Sequence, residues 1–268
     1  MSEGGPLEYT QDALKRLTHT AQEETSSLGI PELDPFCAVG VITRVHATLT
    51  SGKEGTVYCC RAHPSTRRKF LAAKVYREHA ASSHKWSQTY FEGRERVLAQ
   101  KHIRAIHART QYGQALARAL WVSAEFETLG ILHQAGVCVP EPVKLGNRSI
   151  LMEYIGNGAG PAPQLRGLRP TRSEAQDILD QILDGVVGML RCHLVHGDLS
   201  PYNVLVWEGA VRIIDVPQAV DARFNHSAFD LLQRDLVNVC AFFTPFGLKM
   251  DTDRLATDLW QQYQRATL

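Results

Sequence analysis

The chain has 268 residues, of which 44% are hydrophobic and 21% charged, and its formal net charge is +1. This length and composition fit a soluble globular protein with one large domain or two packed lobes, and the near-neutral charge gives no global attraction to nucleic acid or acidic lipid. The six cysteines form no C-x-x-C pair, so we expect neither a zinc site nor a disulfide framework. No apolar run reaches about 20 residues, so we expect no membrane span and a cytoplasmic protein.

Residues 1–36 are polar and contain several Gly and Pro residues. We interpret them as a loosely attached leader with one short helix around Gln11–Glu24. The β-rich N-lobe then covers residues 37–155. It opens with alternating apolar and polar residues, a pattern typical of strands, separated by two turns. The three predicted strands are Val41–His46, Thr56–Ala62 and Lys69–Arg77.

Residues 78–113 are polar and basic with weak periodicity, which predicts an insertion that is mobile or partly helical. Gln114–Gln134 has the spacing of an amphipathic helix, and Gly136 is a suitable C-terminal cap. Ser149–Ile155 predicts a short buried strand. The segment 156–170 is rich in Gly and Pro and predicts a linker between lobes.

The C-lobe covers residues 156–268 and is predicted to be mainly helical. Ser173 and Gln176 have capping-box spacing at the start of its first helix. Apolar residues follow at helical intervals, namely Leu179, Ile182, Leu183, Val186 and Leu190. A loop, His196–Asn203, precedes a hairpin, and the chain is mostly helical after Ala228. Strands in the first half and helices in the second predict an α+β fold of two lobes with a cleft.

Three polar residues interrupt the apolar strands around the hairpin: Asp198, Asn203 and Asp215. The predicted hairpin has strands Val204–Trp207 and Val211–Ile214 on either side of a Glu208-Gly209-Ala210 turn. If it turns about Gly209, Asn203 and Asp215 lie directly opposite each other, about 5 Å apart. Two oxygen ligands at that distance suit Mg²⁺ beside phosphates. Asp198, in the preceding loop, is placed to accept a proton from an attacking hydroxyl. The alternative is an ordinary capped loop and hairpin with surface Asp and Asn residues.

Lys74 lies within an apolar strand, and a charge there needs an anionic partner. Glu125 is a charge on the apolar face of the predicted helix, beside Trp121, Leu129 and Leu132. Pairing Lys74 with Glu125 would solve both problems and direct the ammonium group toward phosphates. The alternative for Lys74 is that its side chain extends out of an edge strand into solvent.

Two further segments could contact a nucleotide. The glycines of Ser51–Gly55 would allow backbone N–H groups to approach a phosphate, although a plain hairpin turn explains the segment equally well. The predicted strand near the lobe junction could bind adenine through the Glu153 carbonyl and the Ile155 N–H. An ordinary core strand is an equally good interpretation of that segment.

These residues resemble the RIO family of atypical serine/threonine protein kinases and ATPases, from about Val41 to Phe246. The matching motifs are Ser51-Gly52-Lys53-Glu54, Ala73-Lys74-Val75-Tyr76, Trp121 with Glu125, Pro140-Glu141-Pro142, Met152-Glu153-Tyr154-Ile155-Gly156, His196-Gly197-Asp198-Leu199-Ser200 with Asn203, Ile214-Asp215 with Gln218, and Arg234-Asp235-Leu236-Val237-Asn238-Val239. The combination is specific, although no single motif is.

The resemblance implies a bilobal protein kinase-like fold that lacks the activation loop and the peptide-docking helices, with ATP and Mg²⁺ as cofactors. The implied function is serine/threonine protein kinase activity, including autophosphorylation, ATPase activity, or both. The implied roles are catalytic base for Asp198, metal ligands for Asn203 and Asp215, phosphate positioning for Lys74 and Glu125, and a loop over the phosphates for Ser51 and Lys53. Asp215 is also implied as a residue that can itself accept phosphate.

The sequence departs from the family pattern at Gly55, where members often carry Ala, at Gly197, where many kinases carry Arg, and in the long insertion 78–113.

Two alternative functions stay open. One is a small-molecule phosphotransferase of the aminoglycoside or choline kinase type, which also carries a His-Gly-Asp motif. The other is an assembly factor that ATP switches, with little kinase output, and that contacts ribosomal RNA or a pre-ribosomal particle through basic residues of 85–118. A solvated helical face explains those basic residues as well.

Overall fold

The computed structural model describes residues 29–77 and 100–268. The predicted helix around Gln11–Glu24 and the first part of the predicted insertion lie outside the described residues. Two compact units are present: one contains the described residues up to Ala124 together with Val143–Met152, and the other contains Glu125–Pro142 and Glu153–Leu268. The sequence suggested one boundary, after residue 155, whereas the chain passes between the units three times.

A five-stranded sheet organises the first unit, with the order β1-β2-β3-β5-β4. Its strands are β1 (Ile42–Ser51), β2 (Gly55–Ala62), β3 (Phe70–Tyr76), β4 (Pro142–Leu145) and β5 (Ser149–Glu153). The pairs β1/β2 and β2/β3 are antiparallel. The three strands predicted at the start of the N-lobe are confirmed, and β1 continues further than predicted, as far as the Ser51–Gly55 turn.

A short helix, α1 (Asp34–Ala38), packs against this sheet. Leu33 and Phe36 are in the core of the first unit, 0% and 1% exposed. The Ser149 hydroxyl donates to the carbonyl oxygen of Glu32 at 2.9 Å, which ties the segment to β5. The prediction of a loosely attached leader is therefore wrong for its last residues, because two large apolar side chains suffice to dock one turn of helix.

Two helices follow the undescribed segment, α2 (Gln100–His107) and α3 (Gln111–Gln134). The predicted helix in this region is confirmed, with a start slightly earlier than expected. The first turn of α3 needs glycine, because a Cβ on Gly113 would lie 2.0 Å from the carbonyl oxygen of Ala105 in α2. After α3 the chain reverses at Gly136, whose φ of 77° is the left-handed cap expected there.

The next helix, α4 (Arg172–Arg191), lies in the second unit and begins with a capping box at Thr171 and Glu174. Thr171 Oγ1 accepts from Glu174 N, and Glu174 Oε2 accepts from Thr171 N at 2.8 Å. The predicted cap, Ser173 with Gln176, is wrong by two residues. Both pairs fit the motif, but the residue after the preceding proline is extended, so the helix starts there.

Short strands and two more helices complete the second unit: β6 (Gly156–Asn157), β7 (Gly160–Pro161), β8 (Leu194–Val195), β9 (Val204–Trp207), β10 (Ala210–Ile213), β11 (Val220–Asp221), α5 (Ala228–Ala241) and α6 (Thr252–Gln264). Antiparallel pairs form between β6 and β7, β8 and β11, and β9 and β10. The predicted apolar face of α4 is buried at Leu179, Ile182, Val186 and Leu190, whereas Leu183 is only partly buried. None of the described helices is long and apolar enough to cross a membrane.

The segment predicted as a linker, 156–170, is structured. It contains the β6–β7 pair and a 3₁₀ turn, Leu165–Gly167. Ala162 and Leu165 are buried, with 5% and 0% exposed. Glycine and proline here form tight turns around buried side chains, so composition alone was misleading.

Candidate active site

The loop His196–Asn203 joins β8 to β9 and is held by hydrogen bonds to its backbone. Asp198 N–H donates to His196 Nδ1 at 3.2 Å, and His196 Nε2 lies 3.1 Å from the carbonyl oxygen of Ile214. Since a carbonyl can only accept, the ring proton is on Nε2. His196 is 2% exposed and therefore links the loop to the end of β10, while Asp198 is exposed.

A buried carboxylate on α5 fixes the same loop. Asp235, 2% exposed, accepts from Gly197 N at 2.7 Å and from Leu199 N at 2.9 Å. Burial raises the pKa of Asp235, whereas His196, the two backbone N–H groups and Arg234 act in the opposite direction. Arg234 also donates to the carbonyl oxygen of Gly197. Both peptide groups that flank Asp198 are thus held from α5.

Sequence reasoning did not assign Asp235 to the site, although a signal was present. The buried face of α5 consists of Ala228, Leu232, Asp235, Leu236, Val239 and Cys240. One carboxylate among apolar residues at helical spacing requires buried donors, and backbone N–H groups are suitable partners. The same criterion, a charged residue within an otherwise apolar strand or helix face, identifies Lys74 and Glu125 in the sequence.

Gly197 is glycine for a structural reason. Its φ is 77°, and a Cβ would lie 2.6 Å from the carbonyl oxygen of Gln218. A larger residue before the exposed Asp198 would meet both backbone strain and a steric clash. The absence of Arg at this position, noted as a departure from many kinases, therefore follows from the local packing.

The register of the β9–β10 hairpin corrects the geometry predicted for the metal ligands. Glu208 and Gly209 both have positive φ, 51° and 78°, as in a two-residue type I′ turn. Val204 pairs with Ile213, so Asn203 lies opposite Ile214 and not opposite Asp215. The prediction of a directly opposed pair is wrong by one residue, because the turn consists of Glu208 and Gly209 alone and Ala210 already pairs with Trp207.

The amide of Asn203 nevertheless has a defined orientation. Its Nδ2 donates to the carbonyl oxygen of Asp198 at 2.9 Å, which leaves Oδ1 as the acceptor end of the group. Ile214 N–H donates to the carbonyl oxygen of Asn203 at 2.9 Å. Asp215 comes one residue later, is partly buried, and has a φ of 66°. An amide oxygen and a carboxylate are hard ligands of the kind that Mg²⁺ takes, so the donor set fits the ion.

Lys74 and Glu125 are both buried charges, as the sequence indicated, with 8% and 2% exposed. Lys74 pairs with Val57 across β2 and β3, and its Nζ lies 5.1 Å from the centre of the Tyr76 ring. The two charges belong to different compact units. Their pairing stays a prediction.

The Ser51–Gly55 turn connects β1 to β2. Gly52 N–H donates to the carbonyl oxygen of Gly55 at 2.9 Å, and the Ser51 hydroxyl accepts from Arg77 Nη2 at 3.0 Å. Lys53 is exposed. A Cβ on Gly55 would lie 2.3 Å from a backbone carbonyl oxygen of β3, so alanine at this position would require the strands to shift.

Two backbone hydrogen bonds in the segment proposed to bind adenine use the N–H of Glu153 and the carbonyl of Ile155. Glu153 N–H donates to the carbonyl oxygen of Glu141 at 2.8 Å, and the carbonyl oxygen of Ile155 accepts from Ala162 N–H at 2.9 Å. The complementary groups, the Glu153 carbonyl and the Ile155 N–H, are the two that the sequence assigned to adenine.

Comparison with known proteins places this arrangement in a family. A family model described as the RIO domain matches residues 56–255, most of the chain. The chain belongs to the RIO domain family. It is 30% identical over 210 residues to the serine/threonine-protein kinase RIO1 of Caenorhabditis elegans, covering 78% of this chain and 39% of the relative. It is 38% identical over 136 residues to the RIO-type serine/threonine-protein kinase Rio1 of Thermoplasma acidophilum, covering 51% and 70%.

The fold is shared with a RIO kinase of known structure. The Rio2 kinase from Chaetomium thermophilum, in a structure described as an ADP/Mg²⁺-phosphoaspartate complex, aligns with a TM-score of 0.59 at 19% identity, covering 82% of this chain and 61% of that one. The predicted RIO-type kinase fold of the α+β class is thus confirmed. These matches do not favour the small-molecule phosphotransferase alternative. The chain spans about two fifths of the length of its relative from Caenorhabditis elegans.

Proposed function

We propose that this RIO domain protein transfers the γ-phosphoryl group of ATP in the presence of Mg²⁺. The acceptor is a serine or threonine hydroxyl (kinase activity, on another protein or on itself), water (ATPase activity), or each of these in turn. The observation that carries the proposal is the loop around Asp198. Its backbone is fixed by Asp235 and His196, while the Asp198 side chain is exposed and the Asn203 amide oxygen is oriented as an acceptor. A rigid loop that presents an exposed carboxylate suits a catalytic base.

The proposed roles divide between binding and proton transfer. Asn203 Oδ1 and the Asp215 carboxylate would hold Mg²⁺, which neutralises phosphate charge when bound. Asp198 would orient the acceptor hydroxyl and accept its proton. The nucleotide would be bound by Lys74 with Glu125 and by Ser51 and Lys53 at the phosphates, and by Glu153 and Ile155 at the adenine.

Asp215 is also proposed as a site of covalent phosphorylation. The Rio2 kinase structure from Chaetomium thermophilum is described as a phosphoaspartate complex with ADP and Mg²⁺. By analogy, a carboxylate oxygen of Asp215 would form the bond to the γ-phosphorus while the bond to the departing ADP breaks. An acyl phosphate of this kind is cleaved by hydroxylamine, whereas phosphoserine and phosphothreonine are not.

Substitutions at the two carboxylates test the proposal. Asp198→Ala should retain ATP binding but lose transfer by about 10²–10⁴-fold, the usual contribution of a general base. Asp215→Ala should abolish Mg²⁺-dependent turnover and the hydroxylamine-sensitive label. Asp184→Ala, which removes an exposed carboxylate from α4, is the matched control and should keep full activity. Full activity of Asp198→Ala would contradict the role assignment.

A second candidate function is that of an assembly factor that ATP switches and that contacts ribosomal RNA. The described part of the predicted basic patch supports it, because α2 has no buried residue and exposes Lys101 and Arg104. Residues 85–99 of that patch lie outside the described residues. Co-sedimentation with ribosomal particles that weakens steeply with salt is expected, and its absence at low salt would exclude this function. The free state of all six cysteines agrees with the proposed cytoplasmic location.

A further inference from the structure

A strand-like segment lies alongside the catalytic loop within the second unit. Val206 N–H donates to the carbonyl oxygen of Pro163 at 3.1 Å, and Gln164 forms a β-bridge with Leu205. Gln164 Nε2 also donates to the carbonyl oxygen of Tyr202 at 2.9 Å. The segment at Pro163 and Gln164 therefore pairs with the edge of β9. It follows the loop as far as Tyr202, the residue before Asn203.

This segment fixes one arginine on the loop surface. Arg166 N–H donates to the carbonyl oxygen of Pro201 at 3.1 Å, and Arg166 Nε donates to Gln164 Oε1 at 2.9 Å. Its guanidinium carbon lies 4.7 Å from the centre of the Tyr202 ring, which is 57% exposed. One face of the guanidinium and its Nε are thus occupied, while the two terminal Nη groups point to no described carboxylate.

The segment that carries Arg166, between β7 and the first turn of α4, has charged side chains of positive sign only. Residues 160–173 contain three arginines, Arg166, Arg169 and Arg172, and no acidic residue. Arg166 forms no ion pair with any residue of the described ranges 29–77 and 100–268. A guanidinium stacked on an aromatic ring and held through Nε has lost most of its rotamer freedom before it binds a ligand, so a carboxylate can bind its Nη edge at little further entropic cost.

The same loop carries the proposed base. Asp198 is four residues before Tyr202, and the bond from Asn203 Nδ2 to the Asp198 carbonyl closes the loop between them at 2.9 Å. Asp198 and Arg166 thus both lie on this one short loop, Arg166 through its bond to Pro201 and its stacking on Tyr202. We propose that Arg166, stacked on Tyr202, selects protein acceptors that carry an aspartate or glutamate next to the reacting hydroxyl. This inference rests on the proposed function.

An acidic polypeptide fits the site better than RNA does. Phosphate backbones are bound by several cations in a row, each of which neutralises one charge. Here Arg166 is the cation that stacks on the loop, whereas the guanidinium of Arg169 is bonded to its own neighbour, the carbonyl oxygen of Leu168, at 2.8 Å. A single oriented fork matches one carboxylate with two parallel hydrogen bonds.

Steady-state kinetics of the full chain with Mg²⁺ and ATP test the proposal. Two peptides are compared that differ only in glutamate or glutamine beside one serine. The glutamate peptide should be preferred about ten-fold in kcat/KM by the wild type, and Arg166→Gln should bring that ratio close to one. Arg166→Glu should instead favour a peptide with lysine at that position.

Arg169→Gln is the matched control, because it removes the same charge from the same segment but not the fork on Tyr202. It should keep the preference. An equal loss in Arg169→Gln, or no preference in the wild type, would overturn the inference. Binding of polyuridylate that depends on Arg166, in place of such binding of the acidic peptide, would also overturn the inference. ATP hydrolysis without phosphorylation of either peptide would refute the inference and leave the proposed function standing, whereas absence of all Mg²⁺-dependent turnover would refute both.

Discussion

Replacing Asp235 with asparagine should loosen the catalytic loop without changing its shape. The carboxylate accepts two backbone N–H bonds, from Gly197 at 2.7 Å and from Leu199 at 2.9 Å. Asparagine has one acceptor, so one N–H loses its bond and faces another donor in a buried site, which costs about 1–3 kcal/mol. The remaining bond loses its charge assistance, a further cost of about 1 kcal/mol.

Part of that cost is offset because the variant no longer buries a charge. The pKa of Asp235 is raised, which shows that burial of the charged form outweighs the groups that favour it. We therefore expect Asp235→Asn to lower the free energy of unfolding by about 2 kcal/mol at neutral pH. Urea unfolding measures this change, and hydrogen exchange should show faster exchange of the Gly197 and Leu199 amides. Asp230→Asn, exposed on the same helix, should change stability by less than about 0.5 kcal/mol.

The pH dependence of the same variant has a definite sign. A carboxyl group whose pKa is raised on folding contributes stability that is fully present below its unfolded pKa and is lost as the pH rises through the folded value. The wild type carries this contribution of Asp235 and the asparagine variant does not. The free energy of unfolding of the wild type should therefore approach that of Asp235→Asn as the pH rises above the ordinary pKa of an aspartate. A loss below about 0.5 kcal/mol, with both amides still protected, would refute the role of Asp235 as the anchor of the loop.

Two further predictions concern the helix cap and a buried thiol. Thr171→Ala should destabilise the protein by about 1 kcal/mol in urea unfolding, because the reciprocal bonds with Glu174 are lost, whereas Ser173→Ala should cost less than about 0.5 kcal/mol. Equal effects would contradict the observed cap. Burial, together with the neighbouring Cys59 and Cys37, raises the pKa of Cys60 to about 12. Mass spectrometry should find Cys60 unalkylated by iodoacetamide at pH 8 in the folded protein and alkylated in urea, and equal rates would show that the thiol is accessible.

The elements that sequence reasoning predicted well are those with long, regular patterns. Alternation over the three N-lobe strands and helical spacing along α3 and α4 each involve many residues, so local exceptions do not change the outcome. Short features depended on single residues. The cap of α4 was assigned to Ser173 instead of Thr171, because two overlapping pairs satisfied one motif and only the backbone conformation after Pro170 decides between them.

The hairpin shows why a correct assignment of elements can still misplace a site. The strands flanking the turn were predicted, but Ala210 was counted in the turn when it is the first residue of β10, paired with Trp207. A shift of one residue exchanges the faces on which side chains lie. Asp215 therefore follows the residue opposite Asn203. Glu208 in a left-handed conformation, which the two-residue turn requires, has no strong signature in the sequence.

The structure also explains why substitution of Asp198 separates chemistry from stability. The loop takes its shape from bonds to the Asp198 backbone, since the N–H donates to His196 and the carbonyl accepts from Asn203. The adjoining peptide groups are held by Asp235. None of these bonds uses the Asp198 carboxylate, which is exposed. Alanine at this position keeps every backbone bond and should change stability by less than about 0.5 kcal/mol. A large loss of phosphoryl transfer in a variant that is otherwise as stable as the wild type would therefore reflect the missing carboxylate and not a rearranged loop.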